Sequence, residues 1–451
     1  MTSPDGQPAF ALPPLAALRH DFLWGVSTSS FQIEGAVNED GRGMSVWDTR
    51  GHAGLIANKD TGDVACDHYH RYAEDVALMQ RLGLDAYRFS VAWPRVLPQG
   101  RGAANEAGLA FYDRLIDTLL AAKIEPWLCL YHWDMPQAID DLGGWTTRDV
   151  VGWFADYAAL IAARYGDRVK RFATFNEPSI FTLFGFAFGS GQEDRPARDN
   201  LHRAIHHVNL AHGAAVDAIR ERVPGSLIGC VHNVQPCLPP TPADVEGAAL
   251  ADAYWNRAYP DPQSHGVYPE RLRAAIEPHM QPGDMERIKR PLDWFGLNHY
   301  GPTYMKADPN SRFGFWFGDR PAGLRRSPID WVVDPVGFRD TLIEVSRDYG
   351  LPVYVTENGM GSRETLPESG TIVDTDRIEY LHDHIAAMNE AAQAGADIRG
   401  YFAWSLLDNF EWDAGYSVRF GLTYIDYPTQ RRIPKSSFAW YRDLIAAARK
   451  R

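Results

Sequence analysis

Pro352-Val353-Tyr354-Val355-Thr356-Glu357-Asn358-Gly359 reads as a short buried strand ending in a carboxylate, an amide and a glycine. β-Branched and aromatic residues fill its first half. The flanking proline and glycine mark where regular pairing stops. A carboxylate at the end of an apolar strand is costly unless something there requires it. Taken alone, a structural glutamate satisfied by backbone donors explains it equally well. A second stretch repeats the design: Arg171-Phe172-Ala173-Thr174-Phe175-Asn176-Glu177-Pro178 is an apolar strand, then amide, carboxylate and a breaker. Two strands that each deliver a glutamate at the carboxyl end point to a paired-carboxylate site.

Six further short apolar runs lie at 22–26, 86–91, 125–131, 227–231, 294–297 and 400–404; with 171–175 and 353–356 they make eight candidate strands. Amphipathic or alanine-rich stretches at 69–82, 107–122, 147–165, 200–223, 269–279, 336–349 and 374–394 predict helices between most of them. Alternation of strand and helix predicts a parallel sheet. Eight such units predict an α/β chain folded as a single (β/α)8 TIM barrel with extended βα loops, its site at the carboxyl ends of the strands. The polar residues fall where this requires them. Arg88, Ser90, His132, Trp133, Asp134, Asn176, Glu177, Asn233, Gln235, Asn298, His299, Tyr300, Glu357, Asn358, Trp404 and Ser405 all follow apolar runs, and the strand starts carry no comparable cluster. A doubly wound open sheet would gather such groups near one switch point instead.

The barrel is expected to occupy residues 21–451, behind an N-terminal arm at 1–20 that is rich in Pro and Ala and reads as flexible. The longest irregular segments, 179–198 and 302–334, are rich in Gly and aromatics, among them Phe181, Phe184, Phe186, Phe188, Phe313, Phe315, Trp316 and Trp331. Long loops on a barrel build the mouth of its site; packing the loops down accounts for about half of these rings.

The net charge of −13 argues against a nucleic-acid groove. No run of eighteen apolar residues predicts a membrane span. The arm lacks the basic region and apolar core of a signal peptide. Cys66, Cys129, Cys230 and Cys237 are few and irregularly spaced, and the expectation is reduced thiols in a cytoplasmic protein.

Two histidine pairs, His68 with His70 and His202 with His206, have ligand-like spacing, but neither follows a strand and the second lacks the glutamate of a zincin helix. Ordinary hydrogen bonding is the expected use, and no metal or cofactor is expected. No glycine-rich phosphate loop or nucleophile elbow is present. The paired glutamates remain. Two carboxylates flanking a glycosidic bond can divide its cleavage into two steps, one ionised to attack and one protonated to assist departure. A cation such as Arg88 and a phenol such as Tyr300 would favour the anionic form of Glu357. Glu177, close to that charge, would keep its proton to higher pH. Gln32, His132, Asn176, Glu411, Trp404 and Trp412 suit sugar recognition, by hydrogen bonds to adjacent hydroxyls and flat indole surfaces; for each alone, core or capping duty is an equal explanation.

The ordered motifs Phe22-Leu-Trp-Gly, Phe31-Gln-Ile-Glu-Gly, Tyr87-Arg-Phe-Ser, Tyr131-His-Trp-Asp, Thr174-Phe-Asn-Glu-Pro, Gly296-Leu-Asn-His-Tyr, Thr356-Glu-Asn-Gly and Trp404-Ser-Leu-Leu-Asp-Asn-Phe-Glu-Trp span the chain from Asp21 to its final helix. Together they resemble the β-glucosidase group of glycoside hydrolase family 1. The resemblance implies a retaining hydrolase with Glu177 as acid/base and Glu357 as nucleophile. It further implies a glycone pocket of Gln32, His132, Trp133, Asn176, Tyr300, Trp404, Glu411, Trp412 and Phe420, with Arg88 and Asn298 in support. Phospho-glycosidases of the family carry Ser, Lys and Tyr where this chain has Glu411, Val418 and Phe420, so the implied glycone is unphosphorylated. The implied substrates are β-glucosides and cello-oligosaccharides. β-Galactosidase and β-fucosidase side activity, transglycosylation and homo-oligomerisation stay open. Two departures from the family pattern, Ser179 in place of the usual Trp and the loop Gly189-Ser-Gly-Gln-Glu-Asp-Arg-Pro, are expected toward the aglycone side. A sugar-binding protein that has lost catalysis would have replaced a glutamate; a metal-dependent barrel would need a ligand cluster.

Overall fold

The computed structural model describes residues 10–188 and 198–451, the latter from residue 200 in its side chains. Eight parallel strands close into a barrel: β1 (Leu23–Ser27), β2 (Ala86–Ser90), β3 (Glu125–Tyr131), β4 (Arg171–Asn176), β5 (Leu227–Asn233), β6 (Trp294–Asn298), β7 (Val353–Asn358) and β8 (Ile398–Trp404). Each pairs with its neighbours in chain order, and β1 closes the ring against β8. Eight principal helices pack outside: α1 (His68–Leu82), α2 (Glu106–Ala121), α3 (Val150–Tyr165), α4 (Arg198–Arg222), α5 (Glu270–Ile276), α6 (Pro335–Tyr349), α7 (Thr375–Gln393) and α8 (Ser436–Ala448). The expected (β/α)8 barrel is the observed fold.

The lower barrel is filled by its own side chains. Trp127, Trp294, Tyr354 and Phe402 meet there, with ring centroids 4.8 Å apart for Trp127 and Tyr354 and 5.1 Å for Trp127 and Phe402. Strand glycines make room for them: a Cβ on Gly25 would lie 2.4 Å from the Phe402 ring, and one on Gly229 2.4 Å from Trp294. This end is a packed floor rather than a pore, so a ligand can enter only from the carboxyl ends.

Several strands run further than their apolar stretches. β4, β5, β6 and β7 take in Asn176, Asn233, Asn298 and Glu357 with Asn358, because backbone pairing continues after the side chains turn polar. Pairing also slips near these ends, between Ala173 and Asn176 on β4 and beyond Val355 on β7. Such bulges re-aim side chains beside functional sites.

The two irregular segments hold more structure than expected. Residues 178–188 continue β4 as helical turns, Pro178–Thr182 then Leu183–Phe188, while 189–197, with the predicted Gly189–Pro196 departure, lie outside the described residues. The 302–334 segment contributes strands Thr303–Ala307 and Phe315–Phe317, which join Cys237–Leu238 in a small sheet over the barrel. Of the 1–20 arm, the described part from Phe10 lies on the barrel, with Leu15 and Leu18 buried and the Ala17 N–H donating to Asn389 Oδ1 at 2.9 Å. Among the described residues no helix is long and apolar enough to cross a membrane.

Candidate active site

The carboxyl ends of the strands open into a cavity of about 510 Å³ lined by both glutamates. Glu357, near the end of β7, is buried against Arg88 from β2. Arg88 Nη1 donates to Glu357 Oε1 at 2.7 Å, and the Tyr300 hydroxyl donates to Oε2 at 2.8 Å. Burial raises this carboxyl above its ordinary value, while Arg88 and Tyr300 pull it back toward ionisation.

Glu177 follows β4 in a left-handed conformation, φ 51° and ψ 61°, that caps the helix Pro178–Thr182. Such a backbone costs about 1 kcal/mol for a non-glycine residue. It is held by neighbours from two other strands: Asn298 Nδ2 and Asn233 Nδ2 donate to Glu177 Oε1 at 2.7 and 3.0 Å. Both amides are fixed in turn, Asn298 Oδ1 by the Thr356 hydroxyl at 2.7 Å and Asn233 Oδ1 by the Trp255 indole N–H at 3.0 Å. With Oε1 accepting from two donors, the proton of a neutral Glu177 sits on Oε2. Burial and the charge of Glu357 push this carboxyl up to about 8, against the two amides and Arg88. Two carboxylates in one chamber are thus set apart: one braced by a guanidinium and a phenol, the other by neutral amides.

Arg88 also orders the glycone side. Its Nη2 donates to Asn176 Oδ1 at 2.6 Å, and Asn298 donates to the same oxygen at 3.0 Å. The Asn176 amide nitrogen therefore faces His132 Nε2, 3.1 Å away. Burial and Arg88 lower His132 well below its ordinary value, so the ring is neutral and Nε2 accepts. His132 stacks near-parallel on Trp404 and on Trp412, and Trp133 meets Trp412 at 4.6 Å. The Trp133 indole N–H is tied to the Asn176 carbonyl at 2.9 Å.

Ten of the eleven residues assigned to the glutamate pair and the glycone pocket line this cavity: His132, Trp133, Asn176, Glu177, Tyr300, Glu357, Trp404, Glu411, Trp412 and Phe420. Arg88 and Asn298 lie behind the glutamates. Gln32 is fully buried and is not among the lining residues; its amide nitrogen reaches the Phe410 carbonyl at 2.9 Å, Asn409 Oδ1 at 3.1 Å and Glu411 Oε2 at 3.4 Å. Glu411 faces the cavity, and burial with the charges of Glu357 and Glu177 pushes its carboxyl up to about 8. Ser179, expected toward the aglycone side, is buried and does not line the cavity, whereas Ile180, Phe181 and Phe184 do. Helical spacing explains the difference: 180, 181 and 184 share a face with 177, and 179 points away.

Several contributors escaped the sequence reading, three of them beside the inner half. Asn233 stood among the strand-end polar residues but carried no role. Trp255 and Trp47, also in the lining, come from loops between barrel elements, where no periodicity marks them. The histidine pairs are engaged elsewhere: His68 Nδ1 meets Asp75 at 2.8 Å, His70 meets Asp67 and Glu39, His206 meets Asp284 at 2.8 Å and His202 meets the Tyr254 hydroxyl.

The sequence profile of glycosyl hydrolase family 1 matches residues 15–450. β-Glucosidase A of Thermotoga maritima is 42% identical over 435 residues, covering 94% of this chain and 96% of the relative. A bifunctional β-D-glucosidase/β-D-fucosidase of Bifidobacterium breve is 40% identical over 460 residues, covering 94% and 97%. The solved structure of the Thermotoga maritima β-glucosidase in complex with glucoimidazole superposes with a TM-score of 0.90 at 40% identity, covering 96% of this chain and 99% of that one.

Proposed function

From the premise that the chain belongs to glycosyl hydrolase family 1, and is an O-glycoside hydrolase of β-glucosidase type, we propose that it removes terminal non-reducing, unphosphorylated β-D-glucosyl residues with retention of configuration. In the first step Glu357 attacks the anomeric carbon while the Glu177 Oε2 proton passes to the departing glycosidic oxygen. In the second, the Glu177 carboxylate takes a proton from water, which attacks the same carbon and releases Glu357. An acceptor alcohol in place of water gives transglycosylation. The observation that carries this division is the unequal bracing of the two carboxylates. Glu357 is held by Arg88 at 2.7 Å and Tyr300 at 2.8 Å, which favour its anion; Glu177 has only neutral amide donors on its Oε1. The glycone is read by His132, Asn176 and Glu411 over the faces of Trp404 and Trp412, with Gln32 steadying Glu411. A fucosidase side activity has one support, the printed activity of the Bifidobacterium breve relative.

The two roles separate in anion rescue. Glu357→Ala removes the attacking group, so turnover falls for every leaving group, and azide entering from the vacated side gives the α-glucosyl azide. Glu177→Ala removes only proton transfer. Dinitrophenolate departs without it, the glycosyl-enzyme accumulates after a burst, and azide restores turnover to give the β-glucosyl azide. Product anomers read by NMR decide the matter: an α-azide from the Glu177 variant, or a β-azide from the Glu357 variant, reverses the assignment.

A further inference from the structure

Beyond the two glutamates the cavity changes character. Its outer half is walled by Ile180, Phe184, Phe317, Ile329 and Trp331, and two arginines, Arg320 and Arg363, complete the lining. Arg363 is exposed and, among the described residues, makes no hydrogen bond or ion pair. Arg320 pairs with Asp330 at 2.8 Å, but that carboxylate also serves Arg326 at 2.8 Å, so two guanidiniums share one acid. The outer carboxylate of the lining, Asp413, is neutralised by Arg50 at 2.7 Å. Among the described residues the mouth thus carries net positive charge, on a chain whose overall charge is −13. The chain leading to Arg363 is close-packed on the wall: a Cβ on Gly361, two residues before it, would lie 2.6 Å from Ile329 and 2.9 Å from Phe420, and Phe420 packs 5.8 Å from Trp331.

We propose that the outer chamber selects an aromatic aglycone bearing a carboxylate, with the ring between the apolar walls and the carboxylate on Arg363. The proposal rests on the β-glucosidase reading of the same cavity and names its leaving-group class. Apolar walls alone would accept any aryl group. An anionic one would be opposed by the buried glutamates deeper in the chamber, unless a cation at the rim offset them. Arg363, planar and unpaired among the described residues, is suited to that carboxylate. A sugar acid as aglycone offers the same charge without the ring, and the apolar walls argue against it.

Binding of non-hydrolysable ligands tests this independently of turnover. The ligands are 4-carboxyphenyl and 4-carbamoylphenyl 1-thio-β-D-glucosides, followed by tryptophan fluorescence in the wild type and in Arg363→Lys, Arg363→Gln and Arg363→Glu. The ratio of the two dissociation constants cancels what the glucose and the ring contribute. Arg363→Gln should shift that ratio about fivefold against the carboxylate, the scale of a partly exposed ion pair, and Arg363→Glu should shift it further. Arg363→Lys should retain part of the preference, and salt at about 0.5 M should shrink the wild-type preference. A ratio unchanged in both Gln and Glu variants overturns the proposal. So does a larger Arg363 effect on thiocellobionate relative to thiocellobiose than on the aryl pair, which would assign the arginine to a sugar acid. Turnover of 4-nitrophenyl β-D-glucoside by the wild type is read separately; its absence would count against the hydrolase reading and leave the binding ratios standing.

Discussion

The inner and outer halves of this one cavity are built by different rules. Around the reacting carbon every polar side chain is held by another: Arg88 fixes both Glu357 and Asn176, Asn298 links Asn176 to Glu177, and Thr356 fixes Asn298. Arg88, Asn176, Asn298, Thr356 and Glu357 stand on barrel strands and Glu177 one residue beyond β4, on backbone held by the sheet even where bulges shift its register. The outer half comes from loops. Its rings are partly exposed, Trp331 at 39% and Phe317 at 37%, and its Arg363 makes no bond among the described residues. Chemistry that needs tightly held geometry is expected on the rigid lattice, and the proposed selection among leaving groups falls where substitution disturbs little else.

If the comparison holds, the largest losses follow from removing an inner group. Glu411 stands on a loop yet belongs to the inner half, because Gln32 reaches it from beneath and its carboxylate faces the cavity. Glu411→Ala should cost about 3 kcal/mol of transition-state binding, roughly a hundredfold in kcat/KM for aryl β-glucosides, as expected when a buried carboxyl is truncated and the hydroxyls it bonds are left unsatisfied. The wild type should also discriminate against the 6-phosphoglucoside, and more so as the pH rises through about 8 and Glu411 becomes the anion that faces the phosphate; that pH-dependent discrimination should shrink in the variant. Unchanged efficiency on the plain glucoside would move Glu411 out of the inner half.

A smaller effect sharpens the contrast between the two glutamates. As the proposed acid, Glu177 would have to be protonated for the first step, and its carboxyl is pushed up to about 8. Raising the pH through that value removes the proton, so kcat/KM for substrates with poor leaving groups should fall about tenfold per unit above it. Glu411 is pushed up to about 8 as well, so the limb alone does not name its owner. The leaving group does. Dinitrophenolate needs no proton, and with it the alkaline limb should flatten if Glu177 is responsible. A limb equally steep for the dinitrophenyl and phenyl glucosides would belong to Glu411 and the binding step. On the acid side, protonation of Glu357 stops attack, and burial places that limb above the ordinary carboxylate range.

The same division governs what could be read from the sequence. The eight strands fell within two residues of their observed bounds, because a strand buried on both faces leaves a short, unbroken apolar run. Glu177 and Glu357 were legible for the opposite reason: a carboxylate ending such a run has no local use. Arg88 and Tyr300 could be assigned to Glu357 once the barrel brought their strand ends together. Asn233 was visible as a strand-end amide, but its partner Glu177 follows the preceding strand, and that contact depends on how β4 and β5 pair side by side. The outer chamber was least legible. Trp255 enters from a loop helix and Phe317 from a three-residue strand, and neither has a period long enough to place it. Ser179 was misplaced because the helical turn after Glu177 rotates it away, which the breaker Pro178 did not announce.

The smallest effect is the one best suited to break the comparison. Trp331 lines the outer chamber, 39% exposed, with its ring 5.6 Å from Tyr300 and 5.8 Å from Phe420. If the outer half only selects the aglycone, Trp331→Ala removes one aromatic surface worth about 1 kcal/mol to a stacked ring. KM for aryl glucosides should then rise about fivefold with kcat nearly unchanged. Methyl β-D-glucoside, too short to stack there, should be almost unaffected. Tyr300, however, donates the 2.8 Å bond that holds Glu357 Oε2. Were Trp331 what keeps that phenol in place, its loss would lower kcat for every substrate, the methyl glucoside included, and the acid limb would move upward as Glu357 lost a donor to its anion. A kcat loss shared by both glucosides would show that the loop-borne half reaches into the strand-borne one.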